Sequence, residues 1–315
     1  MAVQQPIVHE AFAFALLCFL PSPGLPFPAS NTPRTEALAL PERNVIFPSS
    51  GESLVAALHV PSDAPRAGLI FLHGWAGYRV GAHRMLVAAA REATSRGYAS
   101  LRFDFRGRGD SGGATMATTL TTMIEDTLAA AAFLRTELGP LPLVLIGDCS
   151  GCEVAIGAAP SIDDVRALAL WSAPIIGGAR EASDAAKTRA VRSSYVRKLF
   201  SPQSWRKLVT GAVRWDLIRR ALARGGKGAG EEGSAADAHI DWDARFLSFK
   251  GERSFIYGAA DPVTPACVDF YRALSARAGS SFNLHSIDGA NHAFYSAAWQ
   301  REVIALTLDF LDPLL

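Results

Sequence analysis

Short apolar runs alternate along this chain with longer stretches that carry a helical spacing of apolar residues. Val45-Ile46-Phe47 and Leu54 to Val60 read as two strands about a Pro-Ser-Ser-Gly-Glu turn. Gly68 to Leu72 is a continuous apolar run that stops at His73-Gly74, as a strand buried on both faces does. From about His83 to Ser95, Met85, Ala89 and Ala93 recur at i, i+4 spacing and predict a helix that Gly97 ends. Ala99 to Phe105 is the next strand and Thr121 to Leu138 the next helix, followed by strands at Leu143 to Ile146 and Val165 to Trp171. After a long helical insertion, Arg253 to Tyr257 and Phe282 to Ile287 complete the strands, and a helix runs from about Ala297 to Phe310. Strands alternating with helices of this length predict an α/β fold, a mostly parallel sheet of about eight strands covered on both faces.

A parallel sheet presents its chemistry at the carboxyl ends of its strands, so the residues there carry the functional reading. The Leu143–Ile146 strand runs into Gly147-Asp148-Cys149-Ser150-Gly151 and then an Ala-rich helical stretch. A sharp strand-to-helix turn of this kind lifts one nucleophile above the sheet, and the residues two before and two after it must be small because the backbones nearly touch. Cys149 has Gly147 and Gly151 at those places, whereas Ser150 has Asp148 and Cys152, so Cys149 is the expected nucleophile and Ser150 the rival. A helix N-terminus and a nearby imidazolium both favour a thiolate. The other readings are a buried structural cysteine and a redox Cys149-Ser150-Gly151-Cys152 pair.

Two further loops follow strands in the order that completes a triad. Asp261 lies in Gly258-Ala259-Ala260-Asp261-Pro262 and His292 in Gly289-Ala290-Asn291-His292. Asp288 is the competing acid, with His73 and His285 the competing bases. The backbone N–H groups of Trp75 and Ser150 are the expected oxyanion hole, and His73 and Gly74 are expected at the substrate side of that loop. These motifs, with Asp104-Phe105-Arg106-Gly107-Arg108-Gly109-Asp110-Ser111, make the chain from Val45 to Leu311 resemble an α/β-hydrolase. The Gly-x-Cys-x-Gly turn is similar to that of dienelactone hydrolases and polyhydroxyalkanoate synthases. The stretch Tyr195 to Gly211 resembles the cap of exosortase-system-associated hydrolases. The resemblance implies a helical cap on a hydrolase core, and a carboxylic ester or thioester hydrolysed through Cys149, Asp261 and His292. An acyltransferase using the same triad and a catalytically weak binding module stay open.

The expected organisation is a leader over 1–43, a core made of 44–174 and 251–315, and a basic helical cap over 175–250. Between Arg180 and Arg224 there are 12 Lys or Arg against 3 acidic residues, a surplus of 9. That surplus reads either as a solvated helical face or as a lid attracting an anionic small-molecule or acylated substrate, a polymer or a membrane surface. Tyr195 and Trp205 would supply substrate-facing apolar surface on the cap. Over the whole chain the net charge is only +1, which argues against nucleic acid as a partner. Four cysteines in 315 residues form no disulfide framework, so a reducing, cytoplasmic setting is the default expectation. Export by a weak N-terminal signal is the alternative: Ala11 to Leu20 is apolar but too short to span a bilayer, and Met1 to Glu10 holds no Lys or Arg. No metal or cofactor is expected, since Gly107-Arg108-Gly109 lacks the third glycine of a dinucleotide fingerprint.

Overall fold

The computed structural model of the chain describes residues 42–176, 237, 239–277 and 279–315. Eight strands form one sheet: β1 (Glu42–Ser49), β2 (Glu52–His59), β3 (Gly68–Leu72), β4 (Ala99–Phe103), β5 (Leu143–Asp148), β6 (Val165–Trp171), β7 (Glu252–Gly258) and β8 (Asn283–Ile287). Their order is β1-β2-β4-β3-β5-β6-β7-β8. The hairpin of β1 and β2 is antiparallel, β2 joins β4 antiparallel, and every later pairing is parallel. This is the α/β-hydrolase fold with the expected number of strands.

Alternation along the central strands sorts the core into two layers. Ile70 and Leu72 of β3 point to one face of the sheet, while Leu69 and Phe71 point to the other. The first face packs against α2 (Leu120–Leu138) and α3 (Gly151–Ala158), and the second against α1 (Met85–Ser95). Three more helices among the described residues are α4 (Trp242–Ser248), α5 (Thr264–Arg277) and α6 (Ala297–Leu311). Among the described residues, no helix is long and apolar enough to cross a membrane.

Two boundaries differ from the expectation. The first strand begins at Glu42 rather than Asn44, because Glu42 pairs with His59 in the ladder. The stretch given to the end of the cap returns to the core earlier than Gly251. Trp242 and Phe246 of α4 are buried in the same layer as α3, covering their aromatic rings. Asp237 just before it caps α2, accepting from Leu120 N (3.0 Å), Thr121 N (3.0 Å) and Thr121 Oγ1 (2.9 Å). Those are among the donors that the first turn of a helix cannot satisfy internally. The rest of the cap, with Tyr195 and Trp205, lies outside the described residues, as does the leader up to Pro41.

Candidate active site

The turn from β5 into α3 is as tight as its glycines imply. A Cβ on Gly147 would stand 2.6 Å from both the Cα and the N of Cys152. One on Gly151 would stand 2.0 Å from the carbonyl oxygen of Leu72. Neither neighbour can yield, because both are backbone. Cys149 takes the left-handed conformation between them, with φ +54, a strained setting for a side chain with a Cβ. Ser150 has φ −64 and ψ −15, ordinary helical values, and caps α3. The residue held at the apex is therefore Cys149, and Ser150 starts the helix.

The acid and the histidine reach the same place on cross-linked loops. Ala259 N bonds to Ile287 O and Ala260 N to Ala290 O, both at 2.9 Å, so the loop after β7 is tied to the loop after β8. Asp261 is buried and divides its carboxylate between two duties. Oδ1 accepts from Val263 N at 3.2 Å, and Oδ2 lies 2.7 Å from His292 Nδ1. Ser172 Oγ donates to the carbonyl of His292 at 2.8 Å and fixes the backbone behind the ring. The imidazole is hydrogen-bonded to Asp261 and to Cys149, and these two bonds, helped by the charges on both partners and opposed by burial, raise its pKa from 6.5 to about 10. Asp288 is exposed at the turn after β8, and His285 is half-buried within that strand. Asp261, not Asp288, is the residue bonded to His292.

Around this trio the loop after β3 is held from below. His73 is 1% exposed, its Nδ1 is 2.8 Å from Gly74 O, and its ring meets that of Phe105 edge to face. It therefore supports the loop from within the core, the shaping role open to it from the sequence, rather than lining an exposed face. Gly74 remains at the site: a Cβ there would come 3.4 Å from Cys149 Cβ. Trp75 N donates to Ser150 Oγ at 2.6 Å, which brings the two expected oxyanion-hole residues together. The loop after β4 is pinned by the fully buried Asp104, which accepts from Arg79 N at 2.5 Å and Asp110 N at 2.9 Å, and by Arg106 on buried Asp126.

Cys152, the other half of the possible redox pair, is fully buried. Its Sγ bonds to Gly147 O at 3.2 Å and Trp171 O at 3.4 Å, and burial pushes its pKa well up. It is a packed thiol, and Cys149 and Cys152 form no disulfide with each other. Two residues at the site were not singled out from the sequence. The carboxyl of Asp148, next to Cys149, is raised from 3.8 to about 6 by burial, with the nearby His292 charge pulling the other way. Arg108 lies with its guanidinium 5.0 Å from the Trp75 ring centre and its Nε buried without a hydrogen-bond partner. An acid directly before Cys149 and an arginine beside a glycine-rich turn were visible signals, but neither declares its surroundings. Among the described residues, no group of histidine, cysteine and acidic side chains is arranged to hold a metal ion.

Comparison with known proteins gives a family and a fold. The model of a family described as serine aminopeptidase, S33, matches residues 63–223, just over half of the chain. That range includes the Trp75 loop and the Cys149 turn and ends before Asp261 and His292. A lysophosphatidylserine lipase, ABHD12, of Danio rerio is 37% identical over 87 residues, which are 28% of this chain and 22% of the lipase. The match thus spans about a fifth of that relative's length. Among solved structures, an esterase of Pyrococcus furiosus is similar with a TM-score of 0.60 at 20% identity, covering 86% of this chain and 90% of the esterase. A dienelactone hydrolase of Anabaena variabilis gives a TM-score of 0.55 at 15% identity, covering 86% of this chain and 96% of that one. The sheet order, the turn at Cys149 and the matched family model together make this protein an α/β-fold hydrolase, a member of the family described as serine aminopeptidase, S33.

Proposed function

We propose that this hydrolase cleaves a carboxylic ester or thioester through an acyl-cysteine on Cys149, with His292 as general base and acid and Asp261 as its orienting partner. The observation that carries the reading is the continuous chain of contacts from Asp261 Oδ2 through the His292 ring to Cys149, the residue at φ +54 on the turn. Cys149 Sγ, as thiolate, adds to the acyl carbon, and the carbonyl π pair moves onto oxygen. When that pair returns, the bond to the leaving alkoxide or thiolate breaks, and His292 supplies the proton. Water deprotonated by His292 then attacks the acyl-cysteine, releases the carboxylic acid and restores the thiol. An S33 description speaks of serine enzymes, but Ser150 is on the helix side of the turn with helical backbone angles, which supports the cysteine. If the cap admits an alcohol or thiol in place of water, the same steps give acyl transfer.

Within this reading the substrate carries an anionic group. Arg79, Arg102 and Arg106 of the neighbouring loops and strand each pair with a carboxylate, whereas Arg108 has no carboxylate partner among the described residues. The basic surplus of residues 180–224 has the same sign. The test is intact-mass spectrometry during turnover of p-nitrophenyl acetate and an acetyl thioester. An acetyl adduct mapping to Cys149, lost in Cys149→Ala together with turnover, is the expected result. An adduct on Ser150, or full activity in Cys149→Ala, overturns it. Arg108→Gln should lower kcat/KM for a succinyl thioester about tenfold and leave an acetyl thioester unchanged, a difference of about 1.4 kcal/mol. Equal loss on both would remove the anionic group from the proposal.

A further inference from the structure

One donor expected to hold the oxyanion is already occupied. Trp75 N–H points at Ser150 Oγ, 2.6 Å away, and Ser150 is only 6% exposed. A serine hydroxyl has two lone pairs and one proton. Trp75 uses a lone pair, and among the described residues no acceptor takes the proton, so the O–H is left to be donated elsewhere. The hydroxyl is carried by the residue directly after Cys149, at the helix N-terminus where the N–H of Ser150 also lacks an intrahelical acceptor. The loop opposite is close enough that a Cβ on Gly74 would come 3.7 Å from Ser150 Oγ and 3.4 Å from Cys149 Cβ, so the hydroxyl and the nucleophile share one small space.

From this arrangement we infer that Ser150 is a catalytic residue whose side-chain hydroxyl donates to the oxyanion formed on Cys149 adducts, with Trp75 N–H acting through it. The inference rests on the Cys149 mechanism proposed above. In that mechanism negative charge appears on the former carbonyl oxygen when the S–C bond forms, and it disappears when the leaving-group bond breaks. Ser150 N–H and Ser150 O–H both come from one rigid residue and meet that oxygen from adjacent directions. Trp75 N–H, donating to Oγ, polarises the hydroxyl and makes it a better donor, as chained hydrogen bonds do. Trp75 is thereby a positioning residue rather than a direct ligand of the oxyanion. The hydroxyl makes the bond stronger as charge builds, so it acts on the transition state more than on the bound substrate. The opposite reading of the same contact is a plug, in which Ser150 Oγ occupies the hole and must swing away.

The two readings predict opposite effects. Ser150→Ala should lower kcat for an acetyl thioester about 10²-fold, the usual cost of removing one oxyanion donor, with KM changed less than about threefold. A peptide-free aldehyde such as propanal, to which the Cys149 thiolate adds to give an alkoxide that takes a proton as the hemithioacetal forms, puts its oxygen where the oxyanion would lie and should inhibit Ser150→Ala more weakly. Ser150→Thr keeps the hydroxyl and should recover most of the rate. Unfolding temperature and iodoacetamide labelling of Cys149 should match the parent protein in both variants. A kcat/KM for Ser150→Ala that is unchanged or raised, or a Ser150→Thr as slow as Ser150→Ala, overturns the inference. Should Ser150→Ala fail to fold, the Ser150→Thr and Ser150→Cys pair decides the same point. Cys149→Ala keeps the two proposals apart. If it is dead and Ser150→Ala is not slowed, only the hydroxyl's role falls. If Cys149→Ala still becomes acylated, the mechanism beneath it falls as well.

Discussion

Replacing Asp261 with asparagine should move the alkaline limb of activity, and the structure says by how much. The His292 imidazolium is raised from 6.5 to about 10, with the hydrogen bond to Asp261 the largest cause and the bond to Cys149 the next. Taken whole, about 3.5 pH units correspond to roughly 5 kcal/mol at about 1.36 kcal/mol per unit. The His292 side chain is 41% exposed, so solvent screening reduces that figure, here by about half. If Asp261 accounts for about half of the remainder, its carboxylate holds the imidazolium by on the order of 1–1.5 kcal/mol, about one pH unit. In Asp261→Asn the alkaline limb of kcat/KM should therefore fall from about pH 10 to about pH 9. The rate at neutral pH should fall about 10²–10⁴-fold, as an orienting acid's loss does elsewhere. The assay is initial thioester hydrolysis from pH 5 to 10.5 with enzyme-free blanks, paired with NMR titration of the His292 ring. Stability carries the same sign. A folded-state pKa above the unfolded one stabilises fully below about 6.5, and the contribution is lost as pH rises through about 10. Asp261→Asn should thus cost most at pH 6 and least above pH 10. An alkaline limb that stays in place, with His292 titrating as before, would refute the reasoning.

Three other perturbations follow from single positions. Gly151→Ala drives a Cβ to 2.0 Å from Leu72 O and should cost about 3 kcal/mol or more by urea unfolding, whereas Gly139→Ala, with nothing within 4 Å, should cost about 1 kcal/mol for its φ of +79 alone. Equal losses would mean that the turn is not backbone-limited. Asp148→Asn should raise the unfolding temperature at pH 7.5 by a few degrees and leave it unchanged at pH 4. The carboxyl is raised from 3.8 to about 6, so its ionisation costs the fold up to about 3 kcal/mol above pH 6 and nothing below pH 3.8. A gain of the same size at both pH values would exclude that cause. Asp237→Ala removes the acceptor of Leu120 N and Thr121 N and should cost about 1–3 kcal/mol in urea, with kcat little changed; a neutral result would return the α2 N-terminus to solvent.

What the sequence determined by itself lies close together along the chain. The strands were legible because residues buried on both faces must be apolar without interruption, as Gly68–Leu72 and Leu143–Ile146 are. The turn at Cys149 was legible for the same local reason: two glycines four residues apart leave one residue between them that can stand at the apex, and φ +54 falls on it. Asp261 and His292 were legible as loops after strands, with Asp261 preferred to Asp288, and the tertiary structure bonds Asp261 to His292. That bond depends on the hydrogen bonds that bind the loop after β7 to Ala290, between residues 30 apart. The place of β4 between β2 and β3, and the return of Trp242 and Phe246 to the core ahead of Gly251, were also tertiary decisions, since sheet order and burial are settled by distant partners. His73 shows the limit most directly. Its position beside the oxyanion loop left a substrate-side place and a shaping role both open, and Phe105 from the neighbouring strand's loop covers its ring. The hydroxyl of Ser150 is the converse case, read from the sequence as a rival nucleophile, whereas the structure brings Trp75, 75 positions away, within 2.6 Å of its side chain.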